Sequence, residues 1–129
     1  MQTRGDLEHE KIAYYGLSWG ALLGGLLPAV DGRIKVIALV GGGLDLHKTL
    51  PEVDPLNFAS RISAPILMVS GRYDYLLPID RSQNPMFRLL GTPEKDKRHA
   101  VFESGHIAPK NLVIKEVLDW FDRYLGPVK

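Results

Sequence analysis

One serine in this chain stands where a nucleophile is useful. Ser18 lies in Gly16-Leu17-Ser18-Trp19-Gly20, at the point where a β-branched and aromatic run ends and an Ala- and Leu-rich run begins. A serine held in a sharp strand-to-helix turn presents its hydroxyl off the end of a sheet. Glycines on both sides are expected to remove Cβ atoms that would collide with the strand and the helix. A hydroxyl is a poor nucleophile at neutral pH, so it needs a base, and the base needs an acid to orient it. Four histidines are available. His9 precedes the first apolar run, His47 sits in an irregular segment, and His99 opens a strand and would project along the sheet. His106, in Ser104-Gly105-His106, comes just past the carboxyl end of a strand, where open α/β sheets place their ligands. It is the expected base. Asp74, in Gly71-Arg72-Tyr73-Asp74, holds the equivalent place after the preceding strand and is the expected acid. Asp45, after Gly41-Gly42-Gly43-Leu44, is its main rival, and Asp80 is better explained as an early-helix residue favoured by the helix dipole.

The elements that must position these residues are legible from apolar patterning. Four strands are expected, Lys11 to Leu17, Ile34 to Val40, Pro65 to Ser70 and His99 to Glu103. The middle two are continuously apolar, as strands covered on both faces should be. Helical patterns alternate with them, which predicts an α/β protein with a mainly parallel sheet of about four strands and flanking helices. A helix is expected over Trp19 to Val30, a second over Pro78 to Leu90 with Gly91 as its stop, and a third from Pro109 to a Gly126-Pro127 stop. That third helix repeats apolar residues at Ile114, Val117, Leu118, Phe121 and Leu125. The segment from Gly41 to Ser63 lacks period, carries Pro51 and Pro55, and is expected to wander over the site.

Composition narrows the function classes. With 129 residues the chain fits a single domain, residues 1–129, able to bury a core without staples. It has no cysteine, which excludes disulfides, a thiol nucleophile and a Cys-ligated metal. A net charge of +1 with interspersed signs gives no reason to invoke nucleic acid or an anionic membrane, and Lys95-Asp96-Lys97-Arg98 reads as a solvated loop face. The polar start, Met1-Gln2-Thr3-Arg4-Gly5-Asp6, lacks a secretory apolar stretch, and no run approaches transmembrane length. A soluble, cytoplasmic protein is the expectation.

From Lys11 onward, about nine-tenths of the chain, the sequence resembles the carboxyl-terminal part of an α/β hydrolase of the dienelactone hydrolase and prolyl oligopeptidase-like kind. KIAYYGLSWGA, PILMVSGRYDYLLP and FESGH carry the resemblance, and the order Ser, Asp, His is that of this fold's triad. The resemblance implies a Ser18, Asp74, His106 triad, an acyl-enzyme intermediate, and no metal or organic cofactor. Together with the residues it points to a serine esterase acting on small, short-chain carboxylic esters. Trp19 would offer its backbone N–H to the oxyanion, and the aromatic side chains of Trp19, Phe58, Tyr73 and Tyr75 are candidate contacts for the acyl or alcohol part of the substrate. In the resembled fold the nucleophile strand is the fifth of eight, and an early loop supplies the second oxyanion donor, whose loss typically costs about 10²- to 10³-fold in turnover. Here almost nothing precedes the nucleophile strand, a truncated form of the fold. Gly41-Gly42-Gly43 is a candidate substitute. The nucleophile strand should then be a sheet edge beside an uncovered apolar face, which predicts a homo-oligomer or a piece of a longer chain. A non-catalytic interaction module on the same scaffold is the alternative reading.

Overall fold

The structure, a computed structural model, describes Gly5 and residues 8–47 and 49–127. The polar residues 1–4 and 6, on which the reading of the N-terminus rests, lie outside the described residues. Four parallel strands, β1 (Ile12–Leu17), β2 (Ile34–Val40), β3 (Ile66–Gly71) and β4 (Lys97–Phe102), form one sheet in the sequential order β1-β2-β3-β4. β2 has the ends read from the sequence, the other strand ends lie within one or two residues of that reading, and β4 starts earlier because Lys97 and Arg98 pair with Ile66 and Leu67. The mainly parallel α/β architecture expected from the alternating pattern is the one observed.

Both faces of the sheet are covered, which explains why β2 and β3 read as unbroken apolar runs. Val36, Ala38 and Val40 point to one face and pack with Val113, Val117 and Trp120 of the last helix, α4 (Lys110–Leu125). Ile37, Leu39, Ile66 and Met68 point to the other and pack with Ala21 and Met86. Alternation along a strand thus builds two cores from one run.

The helices depart from expectation in two places. Trp19 to Val30 is two short helices, α1 (Trp19–Leu23) and α2 (Leu27–Val30), joined by a turn. Gly24 and Gly25 weaken the helix there, and Pro28 has no N–H to continue it and disfavours helical geometry at the residue before it. Pro78 to Leu90 is a π-helical turn (Ile79–Gln83) running into α3 (Asn84–Leu89). Pro85 cannot donate to a carbonyl one turn back and its ring crowds that turn, so the backbone widens before it. The last helix starts just after Pro109 and stops at Gly126, whose φ of 80° only glycine adopts freely. The described residues from Gly41 to Ser63 form no regular element apart from two 3-10 turns, Pro55–Asn57 and Ala59–Arg61.

β1 is an edge strand, and on the α4 side of the sheet it carries Tyr15, 50 % exposed, and Leu17, 47 % exposed. The helix adds exposed Ile114 and Leu118, one turn apart. No described helix is long and apolar enough to cross a membrane.

Candidate active site

Ser18 caps α1 with φ 51° and ψ −109° and is the only non-glycine residue with positive φ among those described. Such a conformation persists only where the surroundings over-determine it. β2 fixes one side, since Ser18 N–H donates to Val40 O at 2.8 Å, and the Ser18 carbonyl accepts from Ala21 and Leu22 N–H of α1 on the other. The two glycines of the motif are not equivalent. A Cβ on Gly16 would lie 2.4 Å from the Gly20 carbonyl oxygen and 2.8 Å from Ala21 N, whereas a Cβ on Gly20 would meet nothing within 4 Å. Only the first glycine is demanded by space, so the expectation that both prevent collisions is corrected. The pentapeptide's pattern does not reveal the asymmetry, because it arises from α1 folding its own Gly20–Ala21 peptide over Gly16 while the Cβ position of Gly20 faces open space.

The three residues expected to act together are brought together. Ser18 Oγ–H donates to His106 Nε2 at 2.7 Å. His106 Nδ1–H donates to Asp74 Oδ2, also at 2.7 Å. Asp74 is buried, and its other oxygen accepts the N–H groups of Leu76 and Leu77 at 2.9 and 3.0 Å. A carboxylate only accepts, so this arrangement fixes the tautomer of His106 with the lone pair on Nε2, facing the serine. The loop that carries His106 is seated by close backbone approach: a Cβ on Gly71 would fall 1.6 Å from the Gly105 carbonyl oxygen.

The rivals lie elsewhere or serve otherwise. Asp45 accepts from the backbone N–H and the ring Nδ1 of His47, both at 2.9 Å, and not from His106. The His47 N–H is the main reason its carboxyl sits below the ordinary carboxylate range. His99 Nε2 meets Ser70 Oγ at 3.0 Å inside the sheet, and burial lowers its pKa. Gly41 N–H is taken by Val69 O at 2.8 Å, so that member of the glycine run has no free donor. Trp19, the first residue of α1, has no intrahelical acceptor for its N–H.

A cleft of about 220 Å³ opens at Ser18 and His106, walled by Trp19, Leu22, Leu46 and Leu77, with Asp45 and His47 on its rim. Sequence reading missed the leucines, although Leu76 and Leu77 come two and three residues after the acid and donate their N–H groups to Asp74. Tyr73 and Tyr75 are not among the lining residues. The Tyr73 hydroxyl donates to Glu103 at 2.6 Å, which with Arg72 keeps the Glu103 carboxyl low. Tyr75 is 81 % exposed. Phe58 lies under Arg61, whose guanidinium stands 5.2 Å from the ring centre. Among the described residues no group of three or more His, Asp or Glu is arranged to hold a metal.

No family model and no curated protein matches the chain. Solved structures do. A novel cold-adapted esterase from an Arctic intertidal metagenomic library is similar at 26 % identity over 89 % of this chain and 50 % of that one, with a TM-score of 0.75. A putative dienelactone hydrolase from Klebsiella pneumoniae subsp. pneumoniae shares 22 % identity over 94 % of this chain and 55 % of its own, TM-score 0.79. An acetyl xylan esterase from Paenibacillus sp. R4 shares 21 % over 95 % and 48 %, TM-score 0.78. The latter two likenesses speak to fold. The chain has the α/β-hydrolase fold, similar to that of dienelactone hydrolases and esterases, and spans about half the length of the solved structures it matches.

Proposed function

We propose that this chain is a serine carboxylester hydrolase for small, short-chain esters. The observation that carries the reading is the unbroken relay from Ser18 through His106 to Asp74, two hydrogen bonds of 2.7 Å hung on a strained elbow. His106 Nε2 takes the Ser18 proton as Oγ attacks the ester carbonyl, and Asp74 stabilises the imidazolium so formed. Trp19 N–H donates to the oxyanion. His106 then returns the proton to the leaving alkoxide, the alcohol departs, and an acyl-serine remains. Water repeats the sequence with His106 as base, releasing the carboxylic acid and restoring Ser18. The cleft, about 220 Å³ and walled by leucines, suits a short acyl group. Esters with good leaving groups demand less oxyanion stabilisation than amides do, so ester cleavage is favoured over peptide cleavage.

The test is hydrolysis of p-nitrophenyl acetate by the chain and by Ser18→Ala. Saturable turnover that vanishes in the variant supports the reading, and equal rates overturn it.

The open edge of β1 and the exposed Tyr15, Leu17, Ile114 and Leu118 support two further proposals. One is that a second copy, or further chain, covers this face. The other, in place of catalysis, is an interaction module built on the hydrolase scaffold. Labelling with a fluorophosphonate decides between catalyst and module, because only an activated serine reacts stoichiometrically and stops reacting in His106→Ala.

A further inference from the structure

We propose that the alcohol half of the substrate is polyhydroxylated, of the sugar type, and that Asp45 and His47 on the rim of the Ser18 cleft select it. This rests on the esterase reading and adds a substrate class to it. The pair lines the cleft that holds Ser18 and His106. Asp45 Oδ1 accepts both N–H groups of His47, backbone and ring Nδ1, at 2.9 Å. A carboxylate has no proton to offer, so the ring proton of neutral His47 sits on Nδ1 and its Nε2 is a bare acceptor. The imidazole is 93 % exposed, so Nε2 is open to a ligand, whereas Asp45 at 20 % is held in place beneath it. The rim therefore presents acceptors, and an acceptor selects a ligand rich in O–H donors.

Trp19 supplies the complementary surface. Its side chain lines the same cleft yet the residue is 69 % exposed, an unusual state for a large apolar group. A flat aromatic face beside hydrogen-bond acceptors suits a ring whose edge carries hydroxyls and whose face carries C–H bonds. The leucine-walled part, Leu22, Leu46 and Leu77, suits the acyl methyl or short chain. A quaternary ammonium alcohol would also meet an aromatic face and a carboxylate. Its cation gains nothing from the His47 lone pair as a hydrogen-bond acceptor.

The experiment compares three acetates of similar size, methyl 6-O-acetyl-glucopyranoside, cyclohexylmethyl acetate and acetylcholine. Binding to the full chain carrying Ser18→Ala is read by saturation-transfer NMR, and hydrolysis by the unmodified chain is read as kcat/KM. The sugar acetate is expected to bind at least about tenfold more tightly than the cyclohexyl ester, the worth of one to two good hydrogen bonds. Asp45→Asn, in the Ser18→Ala background, frees the other tautomer of His47 and should bring the ratio close to one. Equal binding of the first two, a ratio untouched by Asp45→Asn, or a preference for acetylcholine overturns the proposal. Failure of the esterase reading looks different: none of the three is hydrolysed while the binding preference persists.

Discussion

Gly16→Ala should disable the site although the alanine never touches substrate. The new Cβ would sit 2.4 Å from Gly20 O, 2.6 Å from Gly20 C and 2.8 Å from Ala21 N. All three are backbone atoms of α1, so no rotamer change relieves the contact. Restoring ordinary separation requires α1 to move from β1 by about 1 Å, and Ser18 is the hinge between them. Overpacking of this kind costs about 1–3 kcal/mol of stability. A misplacement of about 1 Å at a nucleophile costs about 10²-fold in rate. Gly20→Ala is the matched control. It sits inside α1 with open space around it, and it should stabilise the chain by about 0.5–1 kcal/mol through helix propensity. Urea midpoints, kcat on p-nitrophenyl acetate and the rate of fluorophosphonate labelling give the readouts. Gly16→Ala with labelling and turnover within threefold of the parent chain, or Gly20→Ala as damaging as Gly16→Ala, would refute the claim that packing behind the elbow aims the serine.

Asp74→Asn should lower turnover about 10³- to 10⁴-fold, because an amide in place of Oδ2 presents a donor or a weaker acceptor to His106 Nδ1 and loses the imidazolium stabilisation. Circular dichroism should show the fold intact, and a larger loss from Asp45→Asn would move the acid assignment. His99 is partly buried and burial lowers its pKa, so the folded chain takes up its proton at a lower pH than the unfolded chain, where the imidazole titrates near pH 6.5. Its stability contribution is thus present above that pH and is lost as pH falls below it. His99→Gln, which keeps a partner for Ser70, should flatten the decline in urea midpoint between pH 7 and 5, and an unchanged slope would assign that decline to other groups. Leu17→Lys places a charge on the outer face of the edge strand, so a chain that self-associates there should sediment as a smaller species than its parent. Equal sedimentation would locate any association elsewhere.

The order and type of the elements were legible because each strand carries a run of three or more apolar residues with a glycine or a charge at or near its end. So were the three members of the relay, since each follows a strand at its carboxyl end and a sequential parallel sheet sets those ends side by side. What escaped reading depends on contacts between distant segments. The break in the first helix needs Pro28 to be weighed against the Ala and Leu around it, and the π turn reflects Pro85 acting on the turn before it. The leucine wall of the cleft comes from Leu22, Leu46 and Leu77, three segments whose meeting no periodicity encodes. Tyr73 looked like a substrate contact from its neighbourhood to Asp74, but Glu103, 30 residues on, holds its hydroxyl.

The sheet adds its strands in the order the ribosome makes them, and the serine and the histidine lie 88 positions apart. While β1, β2 and β3 are being laid down, Ser18 can already occupy its elbow, but nothing is present to take its proton. The hydroxyl of a nascent chain is therefore inert toward the acyl donors around it until β4 docks and carries His106 over the end of the sheet. Acquisition of reactivity becomes a report that the last strand has found its place, so a serine-directed probe applied during refolding would time the closing step and not the formation of the elbow.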